Sequence, residues 1–471
     1  LVICSMSREI HFIEKPLMRS LTVIFLAVVL SSAAWLRGED AVDPFVSYLD
    51  GKAPEILREI PGSEVVPGNI TLRRIVFRSR NDTEIFAVIA SPSAPGNYPG
   101  LLVLHGGGGS AEVDKAMAWA QRGYVAVAPD LPGIAEPGKT KNTRGPWSDL
   151  KYGDGRWIAT PDASASVIFD AVLSAMKSLD LLRSQPNVDG GRIGVVGISW
   201  GGYMTTMVCG LAGDRVRAGF ALYGCGFFDL GSMQQRESYN PKLPRSNVGR
   251  MPQSEQALWL RHLDAGRRAP GIKAVFFHAA ATHDFFGYPR SVQATLDAIS
   301  GEKNQVFAPN ANHNLPVPGG SVFEKASGEI FTPTAFQPYP TPRGQKANWL
   351  GMEVPYFDYL LKGVGKPFPV VSLQSSETPG IVRFTVKAPH PLGHAQVYWS
   401  KASPALARAG DVTPREWIEV QASLIAENAY EAKLPHDAAE WFALVSDNRP
   451  VSVSSQIVHR ASSEIIAPSE P

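Results

Sequence analysis

Residues 192–202 read Arg-Ile-Gly-Val-Val-Gly-Ile-Ser-Trp-Gly-Gly. The apolar run up to Val196 reads as a buried strand. It breaks at Gly197-Ile198-Ser199-Trp200-Gly201, the G-x-S-x-G pattern in which a serine occupies a sharp strand-to-helix turn with its hydroxyl exposed. Glycines flank the serine because close chain approach leaves no room for a Cβ. Ser199 is therefore the candidate nucleophile. The segment after it (Tyr203, Met204, Met207, Val208, Leu211) is apolar nearly all round, which predicts a helix packed in the middle of a domain with Gly213 at its end.

Working outward, Leu101–Leu104, Tyr124–Ala128, Ile193–Val196 and Ala274–Phe277 read as buried strands, and Ala163–Arg183 carries apolar residues at helical spacing. Alternation of this kind predicts a mostly parallel sheet flanked by crossover helices over residues 44–365. Residues 132–160 and 226–270 break the rhythm and are expected to roof a pocket at the carboxyl edge of the sheet, where open α/β sheets bind ligands. Beyond Lys366-Pro367 the texture changes to short β-type runs between turns, from Val370–Leu373 to Val451–Val458. Residues 366–463 are therefore expected to form an all-β, immunoglobulin-like sandwich.

A serine hydroxyl needs an imidazole to take its proton, and the imidazole needs a carboxylate to hold its tautomer. Behind a strand-turn serine the chain order is Ser, then acid, then His. Asp284 follows the strand that ends near Phe277-His278, and His313 follows the run Gln305–Ala308. Ser199, Asp284 and His313 are the predicted triad. His283 is read as a neighbour of the acid, His278 as a strand-end residue, and Asp229 and Asp264 as acids only if the roof folds inward. The run His105-Gly-Gly-Gly-Gly109 directly follows a strand, and its glycines let a backbone amide approach a developing oxyanion. Gly107 is the expected first donor, with Gly106 as its alternative, and the Trp200 amide is the second. Trp147 and Trp157 are candidate substrate-binding residues.

Two other motifs are dismissed. Gly133-Ile-Ala-Glu-Pro-Gly-Lys-Thr140 matches the phosphate-binding P-loop, but the turn chemistry of Asn142-Thr-Arg-Gly-Pro146 leaves no helix to receive a phosphate. Ser174-Ala-Met-Lys177 and Ser446-Asp-Asn448 fall in different expected domains, without Lys-Thr-Gly. Metal-ligand spacings such as His-Glu-x-x-His or Cys-x-x-Cys do not occur, so neither a metal nor a cofactor is expected.

The formal net charge of the 471 residues is +1 and no basic stripe occurs, which argues against nucleic acid as a partner. Lys15 and Arg19 precede the apolar stretch Leu21–Leu30 and the small residues Ser31–Ala34, the order of a secretory signal peptide over residues 1–34 with Met18 as a start. That apolar core is far below the roughly 20 residues of a membrane-spanning helix. A secreted or periplasmic protein without an integral membrane domain is expected. Cys209 and Cys225 are compatible with one disulfide or two buried thiols. Oligomeric state is left open.

Through His105–Gly109, Asn187–Gly194, Gly197–Gly201, Asp284 and His313 the chain resembles the α/β-hydrolase superfamily over about residues 70–365. Tyr223-Gly-Cys-Gly226 and Thr282-His-Asp-Phe285 are similar to the branch of exported acetylxylan esterase-like and dienelactone hydrolase-like proteins. The resemblance implies an α/β-hydrolase fold and a serine esterase acting on a small-molecule or carbohydrate ester, acetyl esters included. Trp200 stands where such deacetylases often carry Gln, and Ser199 where dienelactone hydrolases carry Cys. Gly197–Thr205 is also similar to prolyl oligopeptidase-like peptidases, an alternative weakened by the short stretch ahead of the hydrolase pattern. An inactive hydrolase fold serving as a carbohydrate-binding or adhesion module would require a damaged triad, which the sequence does not contain.

Overall fold

The structure, a computed structural model, describes residues 43–62, 64–66, 69–231, 247–282, 284, 286–287, 289–309, 316–317, 320–321, 351–376, 378–401, 416–447, 449 and 451–460. The chain divides into Leu1–Val46, of which only residues 43–46 are described, and Ser47–Pro471. The expected signal segment lies outside the described residues.

Ten strands form one sheet: β1 (Ile56–Glu59), β2 (Glu64–Val66), β3 (Ile70–Arg78), β4 (Glu84–Pro92), β5 (Tyr98–Leu104), β6 (Val125–Pro129), β7 (Val188–Ile198), β8 (Ala218–Leu222), β9 (Val275–Ala281) and β10 (Lys303–Ala308). Their order is β1-β3-β4-β6-β5-β7-β8-β9-β10, with β2 on β3. From β6 to β10 every pairing is parallel, whereas β1 to β4 add an antiparallel flank. Central strands such as β6 are buried on both faces, as their unbroken Val/Ala/Leu runs require.

Helices α1 (Val113–Gln121), α2 (Val167–Arg183), α3 (Trp200–Ala212), α4 (Phe228–Gly231), α5 (Asn247–Arg250), α6 (Gln253–Leu263), α7 (Ala265–Arg268), α8 (Pro289–Ala298) and α9 (Glu353–Lys362) complete this layer. Ser166 caps α2, its hydroxyl accepting from Ile168 N at 3.2 Å. As its all-round apolar sequence requires, α3 is buried along nearly its whole length, and Gly213 ends it at φ +57°. Cys209 and Cys225 are buried free thiols.

The short pair β11 (Pro316–Val317) and β12 (Gly320–Ser321) precedes two antiparallel sheets of the C-terminal part. One contains β13 (Val370–Gln374), β14 (Ile381–Lys387), β18 (Ala429–Lys433) and β17 (Ser423–Ala426). The other contains β16 (Ile418–Gln421), β15 (Leu392–Lys401), β19 (Ala438–Asp447), β20 (Ser452–Ser454) and β21 (Val458–His459). These sheets have the architecture of a β-sandwich. The sandwich touches β10, where Phe307 N donates to Ser454 Oγ at 3.0 Å and the Phe307 and Phe442 rings lie 6.1 Å apart. Among the described residues no helix is long and apolar enough to cross a membrane.

The antiparallel flank is tied to α2 by a bidentate pair, Arg80 Nε to Asp170 Oδ1 at 2.7 Å and Nη2 to Oδ2 at 2.8 Å. Asp170 is buried, so removing Arg80 leaves a carboxylate without its counter-charge. Arg80→Ala is expected to cost about 3–5 kcal/mol of stability. Urea unfolding checks it, and a midpoint equal to wild type would contradict this account.

Candidate functional site

Ser199 lies between the end of β7 and the start of α3 with φ +58° and ψ −121°, a backbone state that side-chain-bearing residues avoid. Crowding explains its glycine neighbours. A Cβ on Gly197 would lie 2.3 Å from Gly201 O, and one on Gly201 2.1 Å from Leu104 O. The turn is held by Ser199 N donating to Leu222 O at 2.8 Å and Tyr203 N donating to Ser199 O at 3.0 Å.

The glycine loop after β5 passes directly over this turn, since a Cβ on Gly106 would lie 3.3 Å from Ser199 Cβ. His105 orients the loop. Its Nε2 accepts from Leu131 N at 3.0 Å, so in the neutral ring Nδ1 carries the proton and donates to Gly106 O at 2.8 Å. Burial pushes the His105 pKa down to about 4, which keeps the ring neutral. Gly109 N also donates to Gly106 O, at 3.1 Å. In a trans peptide the N–H points opposite the C=O, so pinning Gly106 O away aims the Gly107 N–H outward. The Gly107 and Trp200 amides find no acceptor among the described residues, whereas Gly108 N donates to Ile134 O at 2.9 Å. Two available donors thus flank the serine, one of them in the first turn of α3, where the helix dipole adds positive potential.

Asp284 lies beyond β9 as expected and is 1 % exposed. Its Oδ1 accepts from Phe286 N at 2.7 Å and Gly287 N at 2.9 Å, which fixes the carboxylate. The Phe286 ring is 5.0 Å from that of Trp200, which brings the acid's loop to the serine's neighbour. His313 and His283 lie outside the described residues. Asp264 and Asp229 are engaged elsewhere, Asp264 with the amides of Phe227 and Phe228 (2.8 and 2.9 Å) and Asp229 with Arg267 (2.7 Å). His278 is not at a strand end: it lies within β9, fully buried, because that strand runs on to Ala281. Its ring nitrogens have no hydrogen-bond partner among the described residues, the Gly224 backbone beside it lying outside bonding geometry, and burial pushes its pKa down to about 4.

Trp157 joins an aromatic wall beside Ser199, its ring 5.8 Å from Trp200, 5.8 Å from Phe228 and 4.8 Å from Trp259. Trp147 lies apart. It lines a cavity of about 100 Å³ with Thr143, Tyr152 and Val167. Arg156 is a residue that sequence reasoning missed. Its guanidinium lies 4.3 Å from the Tyr152 ring centre and 5.2 Å from that of Trp200, and Nε donates to Gly133 O at 2.6 Å. Its Nη2 is buried without an acceptor among the described residues. Tyr152, Phe228 and Phe286 were missed as well, because nothing in their spacing announces that Phe228 and Phe286 meet Trp200 or that Tyr152 meets Arg156. Asp130 was readable: it directly follows β6 at the sheet's carboxyl edge, and burial lifts its pKa to about 6.

The P-loop pattern forms only the short 3₁₀ turn Pro137–Lys139, without an α-helix behind it. Among the described residues no group of His, Cys, Asp and Glu could hold a metal ion.

A strained serine between a parallel strand and a buried helix, faced by a glycine loop after the neighbouring strand, is the arrangement of the α/β-hydrolase fold. Within it, residues 85–251 match the model of the Dienelactone hydrolase family. The chain is similar in fold to an acetyl xylan esterase from Paenibacillus sp. R4 (21% identity, 57% of this chain and 86% of that one, TM-score 0.46). It is likewise similar to acetyl xylan esterase 1 from Thermoanaerobacterium sp. JW/SL YS485 (20% identity, 58% and 87%, TM-score 0.44). A third similar structure is the Porphyromonas gingivalis dipeptidyl peptidase 4 (18% identity, 52% and 33%, TM-score 0.39). No curated protein matches the chain.

The buried imidazoles carry a pH dependence. His105 and His278, with folded pKa values of about 4 against an ordinary 6.5, refuse protons that the unfolded chain accepts as pH falls through that window. Asp130 opposes them, binding a proton below about 6 that the unfolded chain takes up only near 3.8. The contribution of these two imidazoles to stability therefore falls from about pH 7 to about pH 5, while Asp130 and the other carboxyls that burial pushes up (Asp170, Asp180, Asp264 and Glu353) act in the opposite direction. His278→Leu should make that fall shallower in urea titrations. An unchanged slope would contradict the buried neutral imidazole.

Proposed function

We propose that this protein is an exported serine hydrolase of carboxylic esters, acting through an acyl-enzyme. The observation that carries the reading is the pair of amides, Gly107 and Trp200, that find no acceptor among the described residues beside a serine held at φ +58°. Ser199 Oγ attacks the ester carbonyl while His313 takes its proton and Asp284 steadies the imidazolium. The carbonyl electrons move onto oxygen, which the two amides receive. Collapse of the tetrahedral species breaks the bond to the alcohol, which leaves with the proton from His313. Water then loses a proton to His313 and attacks the acyl carbon, and collapse of the second tetrahedral species breaks the bond to Ser199 Oγ, which takes that proton back from His313 as the acid leaves. The order of the residues along the chain supports His313 in this role, as does the fixed Asp284 carboxylate.

Acetyl esters of carbohydrates are the substrate class we favour. The half-buried indole of Trp157 suits stacking on a sugar ring.

Ser199→Ala is expected to lower kcat on p-nitrophenyl acetate at least about 10³-fold with an unchanged circular dichroism spectrum. Undiminished turnover would overturn the assignment. On natural substrates, wild type should release acetate from acetylated xylan. Cleavage of a dipeptidyl amide alone would move the reading to a peptidase.

Export rests on the order of basic, apolar and small residues across Lys15–Ala34. Amino-terminal sequencing of protein recovered from outside the cytoplasm should begin close after Ala34. Recovery only from the cytoplasm, with that segment intact, would contradict it.

A further inference from the structure

Asp130 lies one residue past β6 and is 1 % exposed, yet it pairs with no cation among the described residues. Its Oδ1 accepts from Ala111 N at 2.7 Å. Its Oδ2 accepts from the Thr143 hydroxyl at 2.7 Å, and that hydroxyl accepts from Phe86 N at 2.9 Å. The main chain of Asp130 is held too, with Phe86 O accepting from its N–H at 2.9 Å and its own carbonyl accepting from Ser174 Oγ at 2.7 Å. The next residue, Leu131, donates to His105 Nε2.

These bonds join three segments. His105 and Ala111 are the two ends of the loop that contains Gly106 and Gly107. Thr143 opens the segment that runs on to Tyr152, Arg156 and Trp157. A carboxylate without a counter-charge is costly to bury, and an apolar residue of similar size would avoid that cost if packing were its only task. Its oxygens are spent on the spacing between the glycine loop and the aromatic wall.

We propose that Asp130 is a positioning residue, holding the oxyanion loop and the wall segment in fixed relation so that the Gly107 amide faces Ser199. It touches no reacting atom and acts through Ala111 and Thr143. The inference rests on the serine hydrolase reading and extends it from the donor to what aims the donor. A loop freed at Ala111 lets the amide drift, and a misplacement near 1 Å costs on the order of 10²-fold in rate. The loss falls on kcat, because the oxyanion forms only after substrate is bound.

The test compares Asp130→Ala with Asp130→Asn on p-nitrophenyl acetate, with thermal melts to establish the folded fraction. Asparagine keeps the planar group: its Oδ1 still accepts from Ala111 and its Nδ2 donates to Thr143 Oγ. Asp130→Ala is expected to lower kcat roughly 10- to 100-fold per folded molecule with KM within about threefold. Asp130→Asn should recover most of that loss. Should Asp130→Ala fail to fold, Asp130→Ser, whose hydroxyl stops short of both partners, carries the same expectation. A folded Ala or Ser variant with kcat within twofold of wild type overturns the proposal, as does an Asn variant as impaired as the others. Ser199→Ala run alongside separates the two claims. If that variant is dead while Asp130→Ala keeps its kcat, only the positioning role falls; if it stays active, the hydrolase reading falls first.

Discussion

The left-handed backbone at Ser199 is the constraint on which the site depends. A side-chain-bearing residue held at φ +58° costs on the order of 1–3 kcal/mol and persists only where its surroundings leave no other path. Here β7 must reverse into α3 within one residue while Leu104, Leu222 and Gly224 press on the turn. A Cβ on Gly224 would lie 1.9 Å from Tyr203 N, and one on Gly202 2.4 Å from Leu222 O. The glycines absorb the crowding and the serine carries the strain. The hydroxyl is thereby presented at the carboxyl edge of the sheet, where the loops after β5, β6 and β9 also end.

Electrostatics then act on a prepared position. The two amides near Ser199 need no rearrangement to receive charge, because their peptides are already held by helix geometry on one side and by His105 on the other. A charged His105 would lose the acceptor that Leu131 needs, so the neutrality imposed by burial is part of the architecture. The rings of Trp157, Trp200, Phe228 and Phe286 pack together beside the residue that follows the serine, and such an apolar flank strengthens dipolar interactions near it.

Much of this was legible in the residues. The serine turn, the glycine loop and the placement of Asp284 after a strand follow from local patterns: glycine where chains cross, acid where a strand ends. The parallel strands and α3 were readable for the same reason, since burial on all sides leaves unbroken apolar runs. The antiparallel flank of β3 and β4 was not singled out, because their mixed pattern of Arg, Thr and Glu among apolar residues resembles any half-exposed segment. Nor could spacing reveal that Arg156 meets Trp200 or that Asp130 reaches both Ala111 and Thr143. Such contacts join loops brought together by separate strands, and loop sequences carry no period. His278 was misplaced to a strand end because alanines follow it, and alanine marks neither a strand nor its end.

Trp200 shows how chemistry and selectivity divide within this site. Its backbone supplies a donor that any residue could supply, fixed by the start of α3. Its indole meets Arg156, Trp157, Phe228 and the Phe286 ring beside the acid's loop. Changing that side chain would remodel the wall and leave the donor in place. On the proposed reading, the reaction depends on main-chain geometry set by glycines, whereas the choice of substrate depends on side chains from loops that the sheet merely anchors. A shared fold can accordingly persist while the residue next to the serine differs.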